Sequence, residues 1–133
     1  MRTAYLLALV PLAFACSPPH RDLPGDQIEK LTKLDEVMDV QATLADPQFK
    51  KMHDPTYGDA DWAAFADVGS RIQITSKKVH QFSKGADFDA FADTLHKHAE
   101  ELSAAASAKD AKAASAALAA MKATCKACHS RFK

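Results

Sequence analysis

The residues of this chain best suited to chemistry stand together in "CKACHSRFK": Cys125, Cys128 and His129. Two thiols with two residues between them, and an imidazole directly after the second, admit four chemistries: a redox dithiol, half of a zinc site, a short disulfide, or attachment of a c-type haem through two thioethers. The neighbouring residues weigh among them. Ala114, Leu118, Met121, Cys125, Cys128 and Phe132 recur at steps of three and four, which places both thiols on the apolar stripe of a helix, near its C-terminal end. A reactive dithiol belongs at a helix N-terminus, where the dipole lowers a thiol pKa. A zinc site needs a fourth ligand and usually a second paired motif, which the sequence lacks. A disulfide across one helical turn would be strained and would constrain almost nothing. Haem attachment suits the spacing: two thioethers hold the vinyl edge, and His129, one turn beyond Cys125, rises beneath the iron.

The compartment agrees with that chemistry. "MRTAYLLALVPLAFAC" has one basic residue, an apolar run from Ala4 to Ala15 and small residues before Cys16. This is a secretory signal pattern, and the run is too short to span a bilayer as a helix. Pro11 argues against a buried N-terminal helix instead. Ala13-Phe14-Ala15 reads as a cleavage site. Cys16 is then a candidate for lipid attachment, although Ala13 and Phe14 stand where a lipoprotein box prefers Leu and a small residue. The expected organisation is a signal peptide over 1–16, a proline-rich tether over 17–25 ("SPPHRDLPG") and one folded domain over 26–133.

The chain holds 17 Lys and Arg against 17 Asp and Glu, and residues 1–16 include Arg2 but no acid. The exported remainder is thus nearly neutral, with no field to draw it to nucleic acid or to an acidic membrane surface. Contact with a membrane is expected only through a lipid on Cys16.

Four helical patterns must position the motif. The first begins with Asp26 as N-cap, carries Ile28, Leu31, Leu34, Val37, Met38 and Leu44, and breaks at Asp46-Pro47. The second, from Asp59 or Asp61, carries Trp62, Phe65, Gly69, Ile72, Val79 and Phe82, with Gly85 as its stop signal. The third shows Phe88, Phe91, Leu95, Ala99 and Leu102 on one stripe, and the fourth holds the thiols. No segment alternates with a period of two. The fold class is all-α, an antiparallel four-helix bundle with short loops. The last two helices are rich in alanine, which favours helix and close approach but supplies little apolar area. A large apolar prosthetic group would fill out so thin a core.

With these elements in place the chain resembles the class II c-type cytochromes, the cytochrome c prime family. The likeness is carried by "CKACHSRFK" at the end of the last helix, by "AEELSAAASAKD" before it, and by Tyr57 in "DPTYGDADW". Phe132 matches the family's aromatic after the haem histidine, while Lys133 stands where arginine is usual. The resemblance implies one haem c per chain, held by Cys125 and Cys128, with His129 as proximal iron ligand. It further implies that the sixth iron position faces the first helix. Low-spin members of the family place methionine there and carry electrons; high-spin members place an apolar residue there and leave the iron open to small gases. Counting back from Tyr57 puts this position within one residue of Met38, and an indel in the loop would shift the count to Leu34 or Leu31. The low-spin branch is therefore the expected one.

Leu31, Leu34, Val79, Phe82, Phe88, Phe91, Met121 and Phe132 are expected to form the haem pocket. His98 reads as an edge-of-core residue, His80 flanks the stripe, and His20, His53 and His96 read as surface or linker. The expected function is single-electron transfer between redox partner proteins, with gas binding as the alternative. Nothing points to an enzyme: no distal acid–base pair is evident for a peroxidase, although His98 or His80 is a candidate for one. The resemblance also allows a homodimer through the first two helices.

Overall fold

The computed structural model describes residues 21–133; the signal pattern, Cys16 and the first part of the tether lie outside the described residues. Five α-helices follow in order: α1 (Gly25–Ile28), α2 (Leu34–Phe49), α3 (Asp59–Val79), α4 (Ala86–Ala108) and α5 (Ala111–Phe132). The last four are the helices of the bundle, and no strand occurs among the described residues. The all-α four-helix bundle expected from the periodicity is the fold of this chain.

The first expected helix is divided. Ile28 is fully buried against the core, and Gly25 lies so near α3 that a Cβ there would meet Ile74 Cδ1 at 2.7 Å. Lys78 Nζ donates to the Glu29 carbonyl at 2.7 Å, across from α3. These tertiary contacts hold a single turn against α3, and the chain then passes through an extended Lys33 (φ −128°, ψ 142°) before α2 starts. Docking overrides the continuous apolar spacing. Two corrections follow: Asp26 sits inside α1 and caps nothing, and Met38, about three turns in if the first helix ran unbroken from Asp26, lies in the second turn of α2. Pro47 does not end α2 either. It removes one backbone donor, but the helix finishes only two residues later, so just its last turn is affected.

The segment expected as a loose tether is tied down where it is described. Arg71 of α3 pairs with Asp22 and with Asp67, and donates to the Leu23 carbonyl at 3.1 Å. Arg21 pairs with Glu36 at 3.1 Å. The domain thus begins a few residues before 26.

α3 ends at Val79, and a 3-10 turn, His80–Phe82, leads to Gly85. Gly85 has φ 112°, a conformation that side chains rarely adopt, and it turns the chain into α4. At the far end of α4, Lys109 takes the left-handed conformation, and Asp110 caps α5 by accepting from the Ala113 amide at 2.9 Å.

The core has two parts. The larger runs through Phe65, Ile72, Leu102, Leu118 and Met121, and Tyr57, Trp62 and Phe65 stack edge to face beside it. Ala99, Ala105, Ala106, Ala114 and Ala117 are all buried, so the α3–α4–α5 packing rests on small residues. The smaller part gathers Val37, Val79, Phe88 and Ala92 at the end where α5 finishes. α3, α4 and α5 pack closely in sequence, whereas α2 touches α5 sparsely. A gap between those two helices is where the chemistry-bearing residues face.

Candidate haem site

Cys125, Cys128 and His129 come from the last two turns of α5, where a 22-residue helix rich in alanine keeps them in fixed register. The thiols sit half-buried on the side facing α2, and His129 is exposed into the gap. Two adjoining cavities occupy that gap. One, of about 400 Å³, is lined by Cys125 and Met121 of α5 and by Gln41, Ala45 and Phe49 of α2. The other, of about 370 Å³, is lined by Cys128 and Phe132 of α5, Leu34 of α2 and Phe88 of α4. Met38, Ala42 and His129 line both. Each thiol therefore opens on its own cavity, and Met38 and His129 stand on the two walls that the cavities share.

Neither thiol is poised as a thiolate. Burial pushes the Cys125 thiol up to about 11, helped by the nearby Cys128 and Asp46 charges. Burial likewise raises Cys128, against a smaller opposing pull from Lys84. Both thiols are protonated at neutral pH, the reverse of a redox dithiol. Among the described residues no cluster of three or more His, Cys, Asp or Glu side chains could hold a metal ion by itself, so a zinc site has no ligand set there.

Of the residues expected to line the pocket, Leu34, Met38, Phe88, Met121 and Phe132 do so. Leu31, Val79 and Phe82 do not reach either cavity; they pack in the smaller core cluster behind the wall. For Leu31 the cause is the extended segment before α2. For Phe82 it is the 3-10 turn, whose three residues per turn advance the side-chain direction away from the α-helical stripe. Phe91 reaches only Phe132, edge to face at 6.3 Å, while Phe88 holds the same ring at 5.2 Å. His80 pairs with Asp93 at 2.9 Å, and His98 with Glu101 at 2.8 Å, so neither faces the gap. His96 is not a plain surface residue: it is half-buried, with Nδ1 3.1 Å from Ser76 Oγ and 3.2 Å from the Gln73 carbonyl.

The sequence reading missed Gln41. It follows Met38 by three positions and is followed by Ala45, so all three share one face of α2. That spacing was the available signal, but a glutamine on an apolar face carries no mark in the sequence of being buried.

The family model described as Cytochrome C' matches residues 28–133. The chain belongs to the cytochrome c prime family, the class II c-type cytochromes. No curated protein and no solved structure gives a match. The cofactor is accordingly haem c with its iron, and the site fits it. A gap of two linked cavities, mostly apolar, carries two thiols on one wall beside an exposed imidazole. Ala42 and Ala45 on the facing wall of α2 are small enough to leave room for it.

Proposed function

We propose that this chain is an exported monohaem cytochrome that passes single electrons between redox partner proteins. In this reading Cys125 and Cys128 would hold the haem, and His129 and Met38 would be the protein's ligands to its iron. One observation carries the reading: Met38 on α2 and His129 on α5 line both cavities from opposite walls. When bound, the haem supplies a one-electron ferric–ferrous couple. The residues around it do the rest. Phe88, Phe132 and Leu34 exclude water from the Cys128 side, and Met121 and Phe49 do so from the Cys125 side, which favours the less charged ferrous state. A thioether and an imidazole suit both oxidation states, so little has to reorganise on electron transfer. No proton donor or acceptor is needed, and the chain is read as a carrier rather than an enzyme.

Export is supported by the N-terminal signal pattern and by the thioether chemistry. No helix among the described residues is long and apolar enough to cross a membrane; the anchor that this reading proposes is a lipid on Cys16.

The second reading leaves the iron open, with Met38 standing aside, to bind nitric oxide or carbon monoxide. It is favoured by Gln41, a buried amide in the same cavity, which a neutral sulfur ligand does not require. Optical spectra of the haem-loaded chain, with and without carbon monoxide, separate the two. A carrier shows a sharp low-spin reduced spectrum indifferent to the gas, and Met38→Ala converts it to one that binds the gas. A high-spin spectrum that shifts at once with carbon monoxide in the parent protein would remove Met38 from the iron and leave gas binding.

A further inference from the structure

Gln41 is 8 % exposed, and its Nε2 donates to Thr75 Oγ1 at 3.1 Å. The Thr75 hydroxyl has one hydrogen, and it donates that hydrogen to the Ile72 carbonyl at 3.0 Å. Toward Gln41 it can therefore only accept, so the amide must offer nitrogen, not oxygen, to Thr75. The orientation of the amide is thereby fixed by α3. Its second N–H and its carbonyl oxygen make no further hydrogen bond among the described residues, although Gln41 lines the cavity that contains Met38, Cys125 and His129. Among the described residues the polar side-chain atoms sealed without a partner belong to Gln48, Arg71 and Asp89 and not to Gln41, so the unpaired side of this amide is open to whatever occupies the cavity. The other N- and O-bearing side chains that line the cavity, Asp46, Lys122, Lys126 and His129, are exposed, so Gln41 is its one buried amide.

We infer that Gln41, braced by Thr75, is a specificity-determining residue for the sixth iron position, offering an N–H to diatomic ligands whose outer atom carries a lone pair. The chemistry is general: a donor in a water-poor distal pocket stabilises a bound ligand that accepts from it, and has little to offer a thioether sulfur. The inference rests on the haem lying between α2 and α5, and holds whether Met38 is a standing ligand or stands aside.

The test uses the haem-loaded full chain with Met38→Ala, which opens the position in either case, and carbon monoxide as the probe. Replacing Gln41 by Leu in that background should raise the infrared stretching frequency of bound carbon monoxide and speed its release about two- to fivefold, the size of one net hydrogen bond. Thr75→Val keeps the core shape and frees the amide, so it should broaden the band without removing the shift. A band of unchanged position and width in both variants would overturn the inference. The haem's position is tested separately with Ala42→Trp, which crowds the wall common to both cavities. A visible spectrum indifferent to that change would refute the location, and with it both this inference and the axial assignment.

Discussion

Gly69 lies in the middle of α3, where alanine would ordinarily favour the helix by about 1 kcal/mol. The structure predicts the opposite sign. A Cβ at Gly69 would run into Ser103 Oγ on α4 and come within 2.9 Å of the Ala99 carbonyl oxygen. The serine can rotate away, but it then gives up the hydrogen bond it accepts from Gln73 Nε2 at 3.2 Å. The carbonyl is helix backbone and can move only if α4 moves. Overpacking of this kind costs about 1–3 kcal/mol, and the part-buried hydrogen bond about 1 kcal/mol more. Set against the propensity gain, Gly69→Ala should destabilise by about 1–3 kcal/mol, or lower Tm by roughly 5–15 °C for a domain of this size. Thermal unfolding of the haem-loaded chain, followed by far-ultraviolet circular dichroism, reads this directly. Ser103→Ala combined with Gly69→Ala should recover part of the loss, because it removes the hydroxyl clash and leaves the carbonyl. An unchanged or higher Tm for Gly69→Ala would refute the close approach of α3 and α4 on which the alanine packing depends.

Other outcomes follow from the helix ends. Asp110→Ala removes the side-chain acceptor for the Ala113 amide at the start of α5, and should cost about 1 kcal/mol in urea unfolding, with Asp110→Asn recovering most of it. Asp61 is held below the ordinary carboxylate range by hydrogen bonds from Lys51 and from the Gly58 amide, and Asp59 by its hydrogen bond and charge contact with Lys109. A depressed folded-state pKa stabilises above the unfolded value of about 3.9, and that contribution is lost as pH falls through the folded value. Asp61→Asn should therefore lower the urea midpoint at pH 7 and converge with the parent protein in strong acid; a gap independent of pH would show that the charge is not what matters there.

The parts of the site set by spacing within one helix were legible in the sequence. Cys125, Cys128, His129 and Phe132 share a helix with no glycine or proline, so their register could be counted residue by residue. The helix boundaries near Met38 were not legible, because the burial of Ile28 and the nearness of Gly25 to Ile74 decide where α2 begins, and those contacts join residues far apart in sequence. Pocket residues failed where helical phase is lost: Leu31 before α2 and Phe82 after α3. Gln41 was overlooked for a different reason. Its neighbours Val40 and Leu44 mark an apolar face, and its one hydrogen-bond partner among the described residues, the Thr75 hydroxyl, lies on another helix.

With the haem held as proposed, by two thiols in the final turns of α5, the covalent link encloses almost no chain. Unlike a bridge between distant segments, it leaves the entropy of the unfolded polypeptide nearly untouched. Its effect is on reassembly. An unfolded chain cannot lose its haem by dilution, and closure of α2 over the cofactor is a first-order event set by the length of the intervening chain. The midpoint of unfolding should accordingly be independent of protein and haem concentration, as it would not be for the same bundle holding a dissociable haem.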